Sequence, residues 1–212
     1  MRVNVFLDLD GTLVDCRQRI HALFTELTAG YGPPLGFDEY WALKRAQRSN
    51  PWLLEHRFQT TAAQRADFTA AWMREIEQPA RLALDQPFPW TLGVLEALSS
   101  RHTLFVVTDR QREDGAIDQA QRLGLARFLR EVLVTQQRLD KAALIRSRVP
   151  VVTPADVLVG DTGRDVEAAR QLEIRAGVVL SGVRSRESLA RYAPDFILDS
   201  LAELPAILSA PP

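Results

Sequence analysis

Residues 5 to 15 read VFLDLDGTLVD. Val5, Phe6 and Leu7 form an apolar, strand-favouring run that ends in two carboxylates one residue apart, Asp8 and Asp10, followed at once by Gly11. Side chains two apart on an extended chain point to the same side, so these acids repel each other unless positive charge lies between them. A hard divalent cation meets that demand. Mg²⁺ commonly takes one or two carboxylates and keeps open positions for phosphate oxygens, and one of the acids can also serve as a nucleophile. Gly11 lets backbone N–H groups approach an anion with no side chain in the way. A bare Asp-x-Asp pair more often does no more than end a strand; Asp-x-Asp-Gly-Thr straight after an apolar run is a far more specific signal.

Outward from this stretch, apolar β-branched runs recur at residues 103–108, 156–159 and 177–180, with 195–198 as a fifth, and helix-like segments separate them. Near-continuous apolar strands alternating with helices predict a doubly wound parallel α/β sheet covered on both faces. Residues 16–85 interrupt that alternation, being far longer than a usual crossover. Ile20, Leu23, Phe24 and Leu27 recur at helical spacing, and residues 37–48 and 62–77 also read as helices, punctuated by Pro33, Pro34, Pro51 and Pro79. The expected organisation is an α/β core of residues 1–15 and 86–212 with an all-helical insertion at 16–85. Within the core, 91–100 and 112–123 read as helices, Asp140 as the N-cap of a helix reaching Arg146, and Ser200 with Glu203 as a capping box. The residues just after the strands then gather at the carboxyl edge of a parallel sheet, where such sheets bind ligands.

Composition removes several function classes. Against 26 basic residues stand 27 acidic ones, a formal charge of −1, so no global field holds the chain on nucleic acid or an anionic membrane. No run of about 20 apolar residues marks a membrane span, and the acids at 8 and 10 fall where a signal peptide would be apolar, which makes cytoplasmic the default expectation. The single cysteine, Cys16, has no internal partner and reads as a small buried apolar residue, while His21, His56 and His102 are too scattered for a metal cluster.

Three further stretches carry chemistry. Thr108, followed by Asp109 and Arg110, offers a hydroxyl to a phosphate oxygen, although a threonine ending a strand is usually structural. Lys141 lies in the first turn of a helix, where it opposes the helix dipole, and a local rule broken without compensation suggests use elsewhere. Residues 157–165, VLVGDTGRD, run an apolar strand into Gly160 and Asp161 with Asp165 four residues on, which points to a metal site or to helix capping by Asp165.

In order and spacing these four elements resemble the haloacid dehalogenase superfamily, whose pattern is Asp-x-Asp-Gly-Thr, a Ser or Thr ending the second strand, a Lys, and Gly-Asp-x-x-x-Asp. The resemblance covers nearly the whole chain, the helical insertion being similar to that superfamily's helical cap, and it runs closest to phosphoglycolate-phosphatase-like members. It implies a Mg²⁺-dependent phosphatase acting on a small phosphorylated metabolite. Asp8 would attack phosphorus to form an aspartyl-phosphate, and Asp10 would protonate the leaving alcohol and then deprotonate the attacking water. Mg²⁺ would sit on Asp8, the backbone carbonyl of Asp10 and Asp161, with Asp165 assisting. Gly11, Thr108, Asp109 and Lys141 would surround the phosphoryl group. Two departures stand out: Asp109 replaces the usual Asn, and Lys141 lacks the Pro that often follows, which makes Arg138 a weaker stand-in.

Asp10 argues against the dehalogenase and phosphonate-cleaving branches, which replace it. A phosphomutase would keep all four motifs, and a catalytically silent binding module would tolerate their loss, of which there is none. For the leaving group, the insertion's one dense polar and aromatic cluster is Lys44, Arg45, Arg48, His56 and Arg57 with Trp41 and Trp52. Arg45 and Arg48 are the expected contacts to a second anionic group on the substrate, against the plainer reading of a solvated helix face.

Overall fold

The computed structural model describes residues 2–209. Strand β1 (Asn4–Leu7) lies at the centre of a six-stranded parallel sheet, paired on one side with β4 (Thr103–Thr108) and on the other with β6 (Val157–Gly160). Beyond β4 lies β5 (Glu131–Val134); beyond β6 lie β7 (Arg175–Val179) and β8 (Phe196–Leu198). The side chains alternate as a pleated strand requires. Val5, Leu7, Leu104, Val106, Val157 and Val159 join the apolar layer on one face, whereas Phe6, Phe105, Val107 and Leu158 join that on the other. The layers are closed by α6 (Thr91–Ser99), α7 (Glu113–Arg122), α8 (Lys141–Arg148), α9 (Gly163–Gln171), α10 (Arg186–Ala190) and α11 (Leu204–Ser209). Because the chain leaves β1 toward both sides of the sheet in turn, a crevice opens at its carboxyl end between β4 and β6. The strand β5 was not expected from the sequence: EVLV is short, begins with a charge and lies at the sheet edge, so it carries no long apolar run.

Between β1 and α6 the chain forms a two-residue antiparallel pair, β2 (Val14–Asp15) with β3 (Gln86–Pro87), and five helices between its strands. These are α1 (Arg17–Thr28), α2 (Phe37–Arg45), α3 (Asn50–His56), α4 (Ala62–Glu75) and α5 (Pro79–Leu82). They bury their own cluster, built on Phe24, Tyr40, Leu53, Leu54 and Phe68. The helix expected at 37–48 stops at Arg45, because Gln47 turns left-handed at φ 63° and Arg48 N–H bonds back to Leu43. Helix α3 was not expected. Pro51 reads in sequence as a break, yet it occupies the first turn of α3, where proline costs nothing, behind Ser49, whose hydroxyl caps Trp52 N–H. No helix among the described residues is long and apolar enough to cross a membrane.

Candidate active site

The turn after β1 sets the site. Leu9 O accepts from Leu13 and Val14 N–H, both at 3.0 Å, and Gly11 takes φ 82°, a left-handed conformation that strains any residue with a Cβ. A Cβ on Gly11 would also lie 2.5 Å from Asp161 Oδ2, so the glycine brings two loops together. Its own N–H is spent on Val14 O at 2.8 Å, so Gly11, expected beside the phosphate, leaves the donating there to other groups. The amides of Leu9 and Asp10, which follow Asp8 in the chain, by contrast donate to no acceptor among the described residues.

Strand ends, helix starts and the inserted helices together line a cavity of about 710 Å³ containing Asp8, Asp10, Thr108, Lys141 and Asp161. Lys141 Nζ stands 2.6 Å from Asp8 Oδ1 and 2.5 Å from Asp165 Oδ1, which gives this buried lysine the partners its place in the helix lacks. Burial opposes its charge, but Asp165 and Asp8 outweigh that and hold the ammonium well above the usual lysine range. Asp140 frees the helix start for it by capping Ala143 N–H at 2.7 Å. Thr108 is buried at the end of β4 and lines the cavity.

Burial, together with the charges of Asp165 and Asp161, pushes Asp8 well above the carboxylate range despite Lys141. Burial and Asp165 likewise raise Asp161 to about 7. No described residue donates to the second oxygen of either acid; Asp161 Oδ2 accepts from Val183 N–H at 2.7 Å. Two buried carboxylates short of positive charge, each with one open oxygen, fit a hard divalent ion. Among the described residues no three Asp, Glu, His or Cys side chains converge in ligating geometry, so a third ligand from this set would be a backbone carbonyl such as that of Asp10.

Two expected ligands are spent elsewhere. Asp165, expected to assist the metal, gives Oδ1 to Lys141 and Oδ2 to Thr162 N–H at 3.1 Å and Thr162 hydroxyl at 2.8 Å, closing a capping box on α9. Asp109, expected at the phosphate, lines the cavity but gives its oxygens to Thr135 at 3.1 Å and Arg164 at 3.3 Å. Arg45 and Arg48, expected to meet the substrate, do not line the cavity: Arg45 bonds Leu180 O at 3.1 Å, and the exposed Arg48 stacks over Trp52. Lys44, one residue earlier, does line it, with Tyr40, Asn50 and Trp72.

The Asp10 carboxylate is gripped by two guanidinium groups. Arg110 donates to both its oxygens at 2.8 and 2.7 Å, and Arg19 of α1 reaches Oδ1 at 2.5 Å. Burial works against ionisation, but these two charges outweigh it and hold the carboxyl well below its usual range. Arg19 also bonds Asp85 at 3.0 Å and Ile76 O at 3.2 Å, and Gln119 completes Asp85, which is fully buried, at 2.9 Å. Sequence reasoning did not find Arg19 or Asp85. The available signal was that Arg19 lies one turn before Leu23 on the apolar stripe of α1, where an unpaired charge would be costly.

A family model described as haloacid dehalogenase-like hydrolase matches residues 5–179. The chain belongs to this family. A plasmid phosphoglycolate phosphatase of Cupriavidus necator is 32% identical, the match covering 97% of this chain and 92% of that protein. Phosphoglycolate phosphatase 1 of Pseudomonas aeruginosa is 26% identical over 94% of this chain and 77% of its own length. Among solved structures, a haloacid dehalogenase-like hydrolase from Streptococcus pneumoniae superposes with TM-score 0.80 at 25% identity, covering 98% of this chain and 99% of that one. The parallel core of this haloacid dehalogenase-like hydrolase thus has the family's architecture, with Asp8, Thr108 and Asp161 at its strand ends and Lys141 at the start of α8.

Proposed function

We propose that the protein is a Mg²⁺-dependent phosphatase that hydrolyses a small phosphorylated metabolite through an aspartyl-phosphate on Asp8. The observation that carries the reading is Asp8 itself, at the end of the central strand, paired with Lys141 and facing one cavity with Thr108 and Asp161. Its neighbours suit the reaction: Lys141, the Thr108 hydroxyl and the amides of Leu9 and Asp10 surround the space where phosphoryl oxygens develop charge. Mg²⁺ held by Asp8, Asp161 and the Asp10 carbonyl would supply further charge there. Asp8 displaces the alcohol in line, forming the acyl-phosphate bond as the ester bond breaks, with Asp10 giving its proton to the leaving oxygen; water then attacks phosphorus, Asp10 takes a proton back from it, and free phosphate leaves with Asp8 and Asp10 restored. Arg19 and Arg110 hold Asp10 in the ionised form this second step needs. Esters whose leaving oxygen needs no proton are therefore the best reporters of the first step.

Relatives named phosphoglycolate phosphatase and pyrophosphatase favour hydrolysis over transfer to a second hydroxyl. Incubation with p-nitrophenyl phosphate with and without Mg²⁺ tests the reading. The expected result is turnover that requires the metal and vanishes in Asp8→Asn; no metal-dependent turnover on this ester or on a panel of natural phosphate esters would refute it.

A further inference from the structure

Of the cations lining the cavity, five hold a carboxylate: Arg17 with Asp15, Arg19 and Arg110 with Asp10, Lys141 with Asp8, and Arg164 with Asp109. Lys44 and Arg184 hold none among the described residues, and they sit together. Lys44 Nζ donates only to Asn50 Oδ1 at 3.1 Å, and Arg184 donates to the backbone carbonyl of Lys44 at 3.2 Å. They come from different parts of the chain, Lys44 from α2 of the insertion and Arg184 from the loop after β7. Around them the seam is built for position: Arg45 bonds Leu180 O at 3.1 Å, and Ser185 N–H bonds Arg45 O at 3.3 Å. The partial negative charge at the end of α2 accounts for one cation, not for both. Burial and Arg184 together lower Lys44 to about 8, the mark of a positive pair short of an anion.

The geometry points to Lys44 and Arg184 as a receptor for a second anionic group, carboxylate or phosphate, on the alcohol side of the substrate. The inference rests on the phosphatase reading and adds to it the substrate class: phosphomonoesters bearing a second negative charge. An anion between the two side chains neutralises both and ties α2 to the core loop, so binding the correct leaving group also holds the insertion over Asp8.

Titration calorimetry on the full chain in Mg²⁺ tests this without turnover. The probes are propylphosphonate, with one anionic group, 3-phosphonopropionate, with a carboxylate in addition, and propane-1,3-bisphosphonate, with a second phosphonate. The expected result is that one double anion binds about tenfold or more tighter than propylphosphonate, the scale of a charge-assisted contact. Which one does so separates carboxylate from phosphate. Lys44→Gln and Arg184→Gln should each bring that ratio close to one, while Lys44→Arg keeps part of it. Equal binding of single and double anions, no measurable binding of either double anion, or an advantage that survives in both Gln variants would overturn the proposal. Hydrolysis of p-nitrophenyl phosphate, measured on the same preparation, reports separately on the phosphatase reading.

Discussion

At Asp8 and Lys141 the same contact predicts opposite consequences for stability. Asp8 is raised by burial and by two neighbouring carboxylates, so Asp8→Asn removes one like charge from a crowded crevice. Activity should fall by about 10⁴-fold or more, as for other lost nucleophiles, while the melting temperature stays level or rises. Lys141→Met instead leaves Asp8 and Asp165 buried with no counter-charge, an expected cost of about 3–5 kcal/mol by urea denaturation. Equal destabilisation by both substitutions would make Asp8 a structural residue. The positions of Asp8, Lys141 and Asp161 at strand and helix ends were legible because their types break the local pattern. What Gly11, Asp109 and Asp165 bond was not, since a side chain's direction after a strand depends on partners far away in the chain, such as Arg164 for Asp109.

Among the elements, α1 matters most beyond the strands, because Arg19 ties it to Asp10, Asp85 and Ile76 O at once. Arg19→Met strips the buried Asp85 of a principal counter-charge and frees Asp10. The outcome should be a lower melting temperature, reduced kcat, and faster hydrogen exchange in β2 and β3, which flank the insertion. Arg19→Lys keeps the charge but lacks the planar fork, so it should rescue stability only in part; full rescue would show that charge alone is needed. At the start of α9, a Cβ on Gly160 would run into the Asp165 carboxyl. Gly160→Ala should therefore uncap α9, at a cost of about 1 kcal/mol, and loosen Lys141. Unchanged stability and activity would mean that Asp165 can move without consequence.

For the whole molecule, charge in the crevice links metal, pH and stability. With Asp161 raised to about 7 and Asp8 raised as well, the metal-free folded state keeps protons that the unfolded chain releases above about 4. Their stabilisation is full below that unfolded value and is lost as pH rises through about 7. Asp10, held low by its arginines, loses its contribution only in strong acid, outside this window. The melting-temperature gain from Mg²⁺ over EDTA should accordingly grow as pH rises across that window; a gain independent of pH would argue that these acids do not share the ion. The sequence by itself determined the parallel α/β core, the helical insertion and the acids, threonine and lysine at the strand and helix ends, because apolar periodicity and rule-breaking polar residues are local signals. Only the tertiary structure decided that Asp10 lies between Arg19 and Arg110, that Asp165 serves Lys141, and that Lys44 rather than Arg45 or Arg48 faces the cavity. Those outcomes depend on how one helix face is rotated and which distant charge meets it, which burial and electrostatics settle only after the chain has closed on itself.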